Sequence, residues 1–313
     1  MLDFVKRRPW FFLLSILVIL PGIVFLILSP GLKPGIDFTG GSSLTLQFPE
    51  ASKASQESLR LELSKIGYED TKIQNFGIIT SEDQRYETFF LRTKTLSEEE
   101  KDSLVDSLNN VFSPDEQNTL QSFDLVSAVV AEETVFNAMW AVLAAAIGIF
   151  FYIWWAFRNV PSPFRYGLAA IVALLHDAFI VVGIFSILGY LFGTEVNTMF
   201  LIALLTVIGY SVNDTIVVFD KIRENVLIYS NRPFTEVVNL SISETIGRSL
   251  NTSFTLLVTL FALLLFGGAT IREFLYVLII GVLAGTYSSI AIATQVLVSW
   301  EQKSVGKFIT LKD

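Results

Sequence analysis

The chain has 313 residues, 52% hydrophobic and 17% charged, with a mean hydropathy of +0.57. A soluble globular chain carries about 25% charge, so this composition excludes a disordered chain, speaks against an ordinary cytosolic enzyme, and points to a multi-span membrane protein. The absence of cysteine and the single histidine, His176, exclude disulfides, thiolate nucleophiles and Cys- or His-rich metal sites. No metal or cofactor is expected. The net charge of −8 is uneven: residues 31–133 hold 19 acidic and 9 basic side chains, the remainder 11 and 13. Such an acidic block repels nucleic acid.

Trp10 to Ser29 is nearly uncharged and about 20 residues long, enough to cross a hydrocarbon core of ~30 Å. Lys6, Arg7 and Arg8 precede it. The charged start resembles a signal peptide, but the apolar run is long and no small-x-small cleavage site follows. It reads as a retained first span with its N-terminus inside.

The polar block comes next. Leu44, Leu46 and Phe48 alternate with Ser43, Thr45 and Gln47, a strand with one apolar face. Leu59, Leu63 and Ile66 recur at helical spacing, and Thr71–Thr80 and Tyr86–Thr93 read as strands. Ser97 to Glu100 fits a capping box that opens a helix with Leu104, Leu108 and Val111. Leu120–Val130 is a further strand candidate. The order strand-helix-strand-strand-helix-strand predicts a small α+β domain of ferredoxin-like, split βαβ type.

Five more apolar segments follow, at about 134–157, 166–191, 196–219, 248–268 and 274–299, each near the ~20 residues of a membrane span. Arg158 and Arg165, then Lys221, Arg223 and Arg232, then Lys303, Lys307 and Lys312 lie in alternate links and the tail. Six helices with both termini inside satisfy that pattern and leave the polar block outside. The expected division is a first transmembrane helix in 1–30, an extracytoplasmic domain in 31–133, a five-helix bundle in 134–300 and a cytoplasmic tail in 301–313. Within the bundle, 220–247 is expected to be a cytoplasmic amphipathic segment. From Pro233 to Gly247 it carries Val237, Leu240 and Ile246 on one face, and it is expected at the inner membrane surface.

Ionisable groups inside the spans carry the most information, since each costs about 2.5–3.5 kcal/mol at a helix centre. Asp214 lies among Ser211, Asn213 and Thr215 between apolar runs. It is either a structural hydrogen-bonding group or a carboxyl that gains and loses a proton. Arg248 opens the fifth span, followed by Asn251, Thr252 and Ser253. It is either a snorkelling anchor or a counter-ion to Asp214. His176 and Asp177 sit near the middle of the third span, as an interhelical hydrogen-bonding pair or as a polar relay near Asp214, with Asn213, Thr215 and Asn251 as further members. Gly281-Val282-Leu283-Ala284-Gly285 and Ala141 to Ala145 permit close helix approach, within one bundle or to a partner.

Two motifs complete the picture. Gly35-Ile36-Asp37-Phe38-Thr39-Gly40-Gly41 directly follows the first span, and Gly209-Tyr210-Ser211-Val212-Asn213-Asp214-Thr215 runs on to Phe219-Asp220-Lys221-Ile222-Arg223-Glu224. Gly40 and Gly41 permit a bend into the first strand; with no helix after them they do not form a phosphate-binding loop. With the six-span plan, these motifs resemble the SecF family of protein-export membrane proteins. The resemblance implies a resistance-nodulation-division type of membrane fold in the bacterial inner membrane and a heterocomplex with SecD. It implies work beside SecYEG and a YidC-type insertase on an unfolded exported protein, after the SecA ATPase has acted and with the proton-motive force assisting. It also assigns proton coupling to Asp214 and Arg248. Lys221, where the family commonly has Arg, and Lys33-Pro34 depart from its pattern.

Two other classes compete. Half of a proton-coupled small-molecule exporter shares the membrane fold but normally has a much larger outer domain. An intramembrane aspartyl protease could use Asp177 and Asp214, but the Tyr-Asp and Gly-x-Gly-Asp motifs of that class are missing, as are Walker motifs. A non-enzymatic transport subunit is the expected reading.

Overall fold

The structure is a computed structural model describing residues 3–28, 31–81, 84–114, 119–268 and 271–302. The predicted tail with Lys303, Lys307 and Lys312 lies outside these residues. The chain forms two compact units, one of residues 1–33 with 138–313 and one of Pro34–Asn137. In chain order the elements are α1 (Arg8–Ile27), α2 (Ile36–Thr39), β1 (Gly41–Pro49), α3 (Gln56–Lys65), β2 (Lys72–Ser81), β3 (Gln84–Thr93), α4 (Glu98–Phe112) and β4 (Leu120–Val126). There follow α5 (Ala128–Ala156), α6 (Pro163–Phe192), α7 (Thr198–Ile228), α8 (Phe234–Phe266), α9 (Arg272–Ser288), a π-helical turn (Ser289–Ala293) and α10 (Thr294–Glu301).

In the smaller unit the four strands form one antiparallel sheet in the order β2-β3-β1-β4. Leu44, Leu46 and Phe48 alternate along β1, and Phe89 and Leu91 sit opposite them on β3. All five are buried against Leu59 and Leu63 of α3 and Leu104, Leu108 and Phe112 of α4. Both helices open on capping boxes. In α4, Ser97 N–H donates to Glu100 Oε2 at 2.8 Å and Glu100 N–H donates to Ser97 Oγ at 3.2 Å. The hydrogen bonds from Ser97 hold the Glu100 carboxyl below the ordinary glutamate value.

The Gly-rich motif forms the short helix α2, capped by Gly35 and ended by Gly40 at φ 72°. Gly41 follows at φ 128°, and a Cβ there would stand 2.8 Å from Thr93 O. These glycines therefore turn the chain from α2 into β1. The strand expected over Leu120–Val130 ends at Val126. Ser127 Oγ accepts from Val130 N–H at 3.3 Å and starts α5, so the apolar run changes from strand to helix at that hydroxyl.

Among the described residues, six helices are long and apolar enough to cross a membrane: α1, α5, α6, α7, α8, and α9 continued through the π turn into α10. Two of them run further than their apolar stretches. At 1.5 Å per residue, α7 is about 46 Å long and exceeds a ~30 Å hydrocarbon core. Its last turns pack against the first turns of α8. Asn225 Nδ2 donates to Ser241 Oγ at 3.0 Å and to Glu244 Oε2 at 2.8 Å. Ile222 of α7 and Val237, Val238 and Ile242 of α8 are buried. The amphipathic segment expected over 233–247 thus forms the start of α8, continuous with the fifth span. Its apolar face finds α7.

Small residues set the close crossings. A Cβ on Gly22 of α1 would stand 2.6 Å from Gly183 Cα of α6. On α9, a Cβ at Gly281 would meet Val207 at 2.2 Å and one at Gly285 would meet Ser211 Cβ at 2.8 Å. The GxxxG pattern therefore packs α9 onto α7 inside this bundle. At one end of the bundle Val5 N–H donates to Asn239 Oδ1 (3.1 Å), Arg8 donates to Gln302 (2.9 Å) and Arg165 pairs with Glu301. At the other end Val196 N–H donates to Lys33 O at 2.7 Å, and Asn197 donates to Glu273 at 3.3 Å.

Candidate functional site

Helical spacing puts Ser211, Asp214 and Thr215 of α7 on one face, and all three are buried. Asn213, between them, is exposed. Asp214 Oδ1 accepts from Ser249 Oγ of α8 at 2.6 Å. Ser289 of the π turn lies beside the same carboxyl and exchanges a hydrogen bond with Thr215 Oγ1 at 2.9 Å. Asp214 Oδ2 is buried and makes no hydrogen bond of normal length to the described residues. One oxygen of this carboxyl is thus held by Ser249, and the other is buried beside Ser289.

A second cluster surrounds Asp177 of α6, which is 1% exposed. Its Oδ2 accepts from Ser211 Oγ at 2.5 Å and from Ser288 Oγ at 2.7 Å, and its Oδ1 lies 3.0 Å from His176 Nδ1. His176 Nε2 lies 2.9 Å from Ser15 Oγ of α1. Ser15 donates to Tyr287 Oη at 3.2 Å, which donates to Phe11 O at 2.7 Å. The two carboxyls bond to different hydroxyls, so they are not joined as an aspartyl-protease dyad would be. They are linked through neighbours: Ser211 lies one turn before Asp214, and Ser288 adjoins Ser289. The polar side chains meet where the helix ladder loosens into a π turn, a distortion frequent at functional sites.

Of the residues singled out in sequence, the structure brings His176, Asp177, Asp214 and Thr215 into this core. Arg248 and Asn251 are exposed on α8, as Asn213 is on α7. Arg248 begins an exposed polar stripe with Asn251, Thr252, Thr255 and Thr259. The residue that reaches Asp214 from α8 is Ser249, which sequence reasoning missed along with Ser15, Ser288 and Ser289. The signal that could have found Ser249 was its place between Arg248 and the Asn251–Ser253 patch. The motif residues Gly35, Asp37, Gly40 and Gly41 belong to the other unit, where they shape the entry to β1.

Residues 106–303 match the family model of the protein export membrane protein SecD/SecF, C-terminal, and residues 25–48 match the SecD/SecF GG motif. The protein translocase subunit SecF of Thermobaculum terrenum is 45% identical over 307 residues, covering 97% of this chain and 95% of that protein. That of Anaerolinea thermophila is 38% identical, covering 96% and 94%. Among solved structures, SecDF of Thermus thermophilus, a translocon-associated membrane protein, superposes with a TM-score of 0.81 at 31% identity. The match covers 96% of this chain and 39% of that one. The chain belongs to the SecF family of multi-pass membrane subunits of protein translocases.

Proposed function

We propose that this chain pairs with SecD and uses the proton gradient to assist the passage of unfolded exported proteins through SecYEG, with a YidC-type insertase as a further neighbour. The observation that carries the coupling role is the Asp214 carboxyl, buried between α7, α8 and the π turn with one oxygen held by Ser249 and no cation beside the other among the described residues. A neutral Asp214 fits that setting. An ionised one needs a cation or water. Arg248 supplies the cation, reaching the carboxyl when α7 and α8 shift. A proton crossing the membrane releases about 2.3 kcal/mol per 100 mV, the energy that such a shift draws on. The chemistry is transport, with no catalytic residue assigned.

The partner reading rests on the outer faces. Arg248, Asn251, Thr252, Thr255 and Thr259 form an exposed stripe on an apolar helix, and the most apolar stretch of α5 has no buried residue. An arginine facing lipid costs about 2.5–3.5 kcal/mol at mid-membrane. SecD helices covering this side would remove that cost and complete a resistance-nodulation-division type of assembly.

Sidedness and domain form follow. The bundle end with Arg8, Arg165, Lys221 and Arg223 is the cytoplasmic one by the excess of positive charge, which puts both termini inside and residues 31–133 outside. The strand order β2-β3-β1-β4 with α3 and α4 as crossovers supports a ferredoxin-like outer domain. The test is reporter export by membranes containing the chain with SecD, with the gradient intact or collapsed by a protonophore. Assistance should vanish with the gradient. Equal assistance without it overturns the proposal.

A further inference from the structure

His176 and Asp177 are buried ionisable neighbours, and the role proposed for Asp214 leaves them unused. The hydrogens around them follow from the acceptors. Phe11 O can only accept, so Tyr287 Oη gives it its one hydrogen. Ser15 Oγ therefore donates to Tyr287 Oη, which spends the only hydrogen of that serine. His176 Nε2 must then be the donor across the 2.9 Å contact to Ser15 Oγ. At the opposite edge of the ring, Nδ1 stands 3.0 Å from Asp177 Oδ1. With Nε2 already protonated, a neutral imidazole would turn a lone pair toward a carboxylate oxygen. The contact requires one more hydrogen between them. Ser211 and Ser288 both donate to Asp177 Oδ2, and such donated bonds stabilise an ionised carboxylate. The extra hydrogen therefore belongs on Nδ1.

We propose that His176 and Asp177 form a resident proton site, an imidazolium–carboxylate pair of zero net charge, that positions the two segments flanking Asp214. Neutrality is what makes the pair tolerable in a membrane interior, where a lone buried charge is costly. The groups facing it are Ser15 of α1, Ser211 of α7, Tyr287 and Ser288 of α9, with the Tyr287 ring centred 5.9 Å from the imidazole. The two hydroxyls that hold Asp177 belong to the segments around Asp214: Ser211 lies three residues before it, and Ser288 precedes the π turn that carries Ser289. Asp177 is thus a positioning residue acting through Ser211 and Ser288. The positioning half rests on the coupling role proposed for Asp214; the proton site does not.

His176 is the only histidine of the chain, so labelling with ¹⁵N-histidine gives a single ring to read. NMR of the full chain in lipid at neutral pH should show hydrogen on both ring nitrogens. A bare ring nitrogen in the wild type overturns the proton site, with no variant needed. Asp177→Asn should leave one nitrogen bare, because an amide cannot balance an imidazolium; a ring still doubly protonated in that variant also overturns the site. In Asp214→Asn the doubly protonated ring should persist whatever that variant does in export, which separates failure of this site from failure of the coupling role. For positioning, Asp177→Asn should lower gradient-dependent export about 10- to 100-fold, the loss seen when the hydrogen-bond partner of a metal-site ligand, a comparable supporting group, is removed. Unchanged export in a variant whose ring has lost its proton overturns the positioning role.

Discussion

Asp214 and Ser249 meet at 2.6 Å across the contact of α7 with α8, while Arg248, one residue earlier, points outward. Successive residues on a helix are about 100° apart, so the hydroxyl and the guanidinium cannot face the carboxyl together. Removing the hydrogen-bond partner of a buried group costs about 1–3 kcal/mol. Ser249→Ala should therefore weaken the state in which α8 holds Asp214 and reduce gradient-dependent export. Ser249→Thr keeps the hydroxyl and should retain most of it. Reporter export from vesicles carrying each variant separates the two, and indistinguishable export by Ser249→Ala and wild type would show that the contact is idle.

The glycines of α9 make a different demand. A side chain at Gly281 strikes the end of Val207, whereas one at Gly22 strikes the backbone of Gly183. Over-packing costs about 1–3 kcal/mol. Gly281→Ala should lower the thermal midpoint of the purified chain, and adding Val207→Ala should recover much of the loss. Gly22→Ala should lower it too, with no side chain of α6 at the contact to trim. Thermal scans of the single and double variants measure this; a Gly281→Ala chain as stable as wild type would contradict the packing.

The membrane plan was legible in the sequence because apolar runs of span length, joined by links that are basic in alternation, suit a multi-span bundle and little else. His176, Asp177 and Asp214 stood out because ionisable side chains are rare where the neighbours are Leu, Ile and Val. Their hydroxyl partners did not. Serine and threonine satisfy themselves on their own helix, as Thr252 does on Arg248 O and Ser289 on Gly285 O, so nothing local distinguishes Ser288 or Ser289 from idle neighbours. The GxxxG pattern announced a close approach without naming α7 as its partner. The amphipathic face at the start of α8, Val237, Val238 and Ile242, suits a membrane surface as well as it suits the end of α7, so the sequence did not single out α7 as its partner. Val126 and Ala128 fall in one apolar run, and only the Ser127 cap divides strand from helix.

In the smaller unit, acid should loosen α4 from its first turn. The hydrogen bonds from Ser97 depress the Glu100 carboxyl. That contribution is present above the ordinary glutamate value of 4.5 and is lost as pH falls through the lower folded value. Glu100→Ala should therefore reduce amide protection at the start of α4 near neutral pH, and the difference from wild type should close in strong acid. Hydrogen exchange on the intact chain reads it. A difference that grows in acid would contradict the sign.

Sidedness is accessible because the chain has no cysteine of its own. Cysteine at Asn110, exposed on α4, should react with a membrane-impermeant thiol reagent applied to whole cells. Cysteine at Asn231, exposed between α7 and α8, should react only after the membrane is opened. The reverse pattern would invert the topology.

Asp214→Asn is the sharpest probe of proton exchange at Asp214, since asparagine keeps the size and can still accept from Ser249 but cannot ionise. The measurement is reporter export from vesicles holding the variant with SecD, with and without a proton gradient. The variant should fold and bind SecD, and the gradient should no longer increase export. Full gradient-dependent export by Asp214→Asn would contradict proton exchange at this residue.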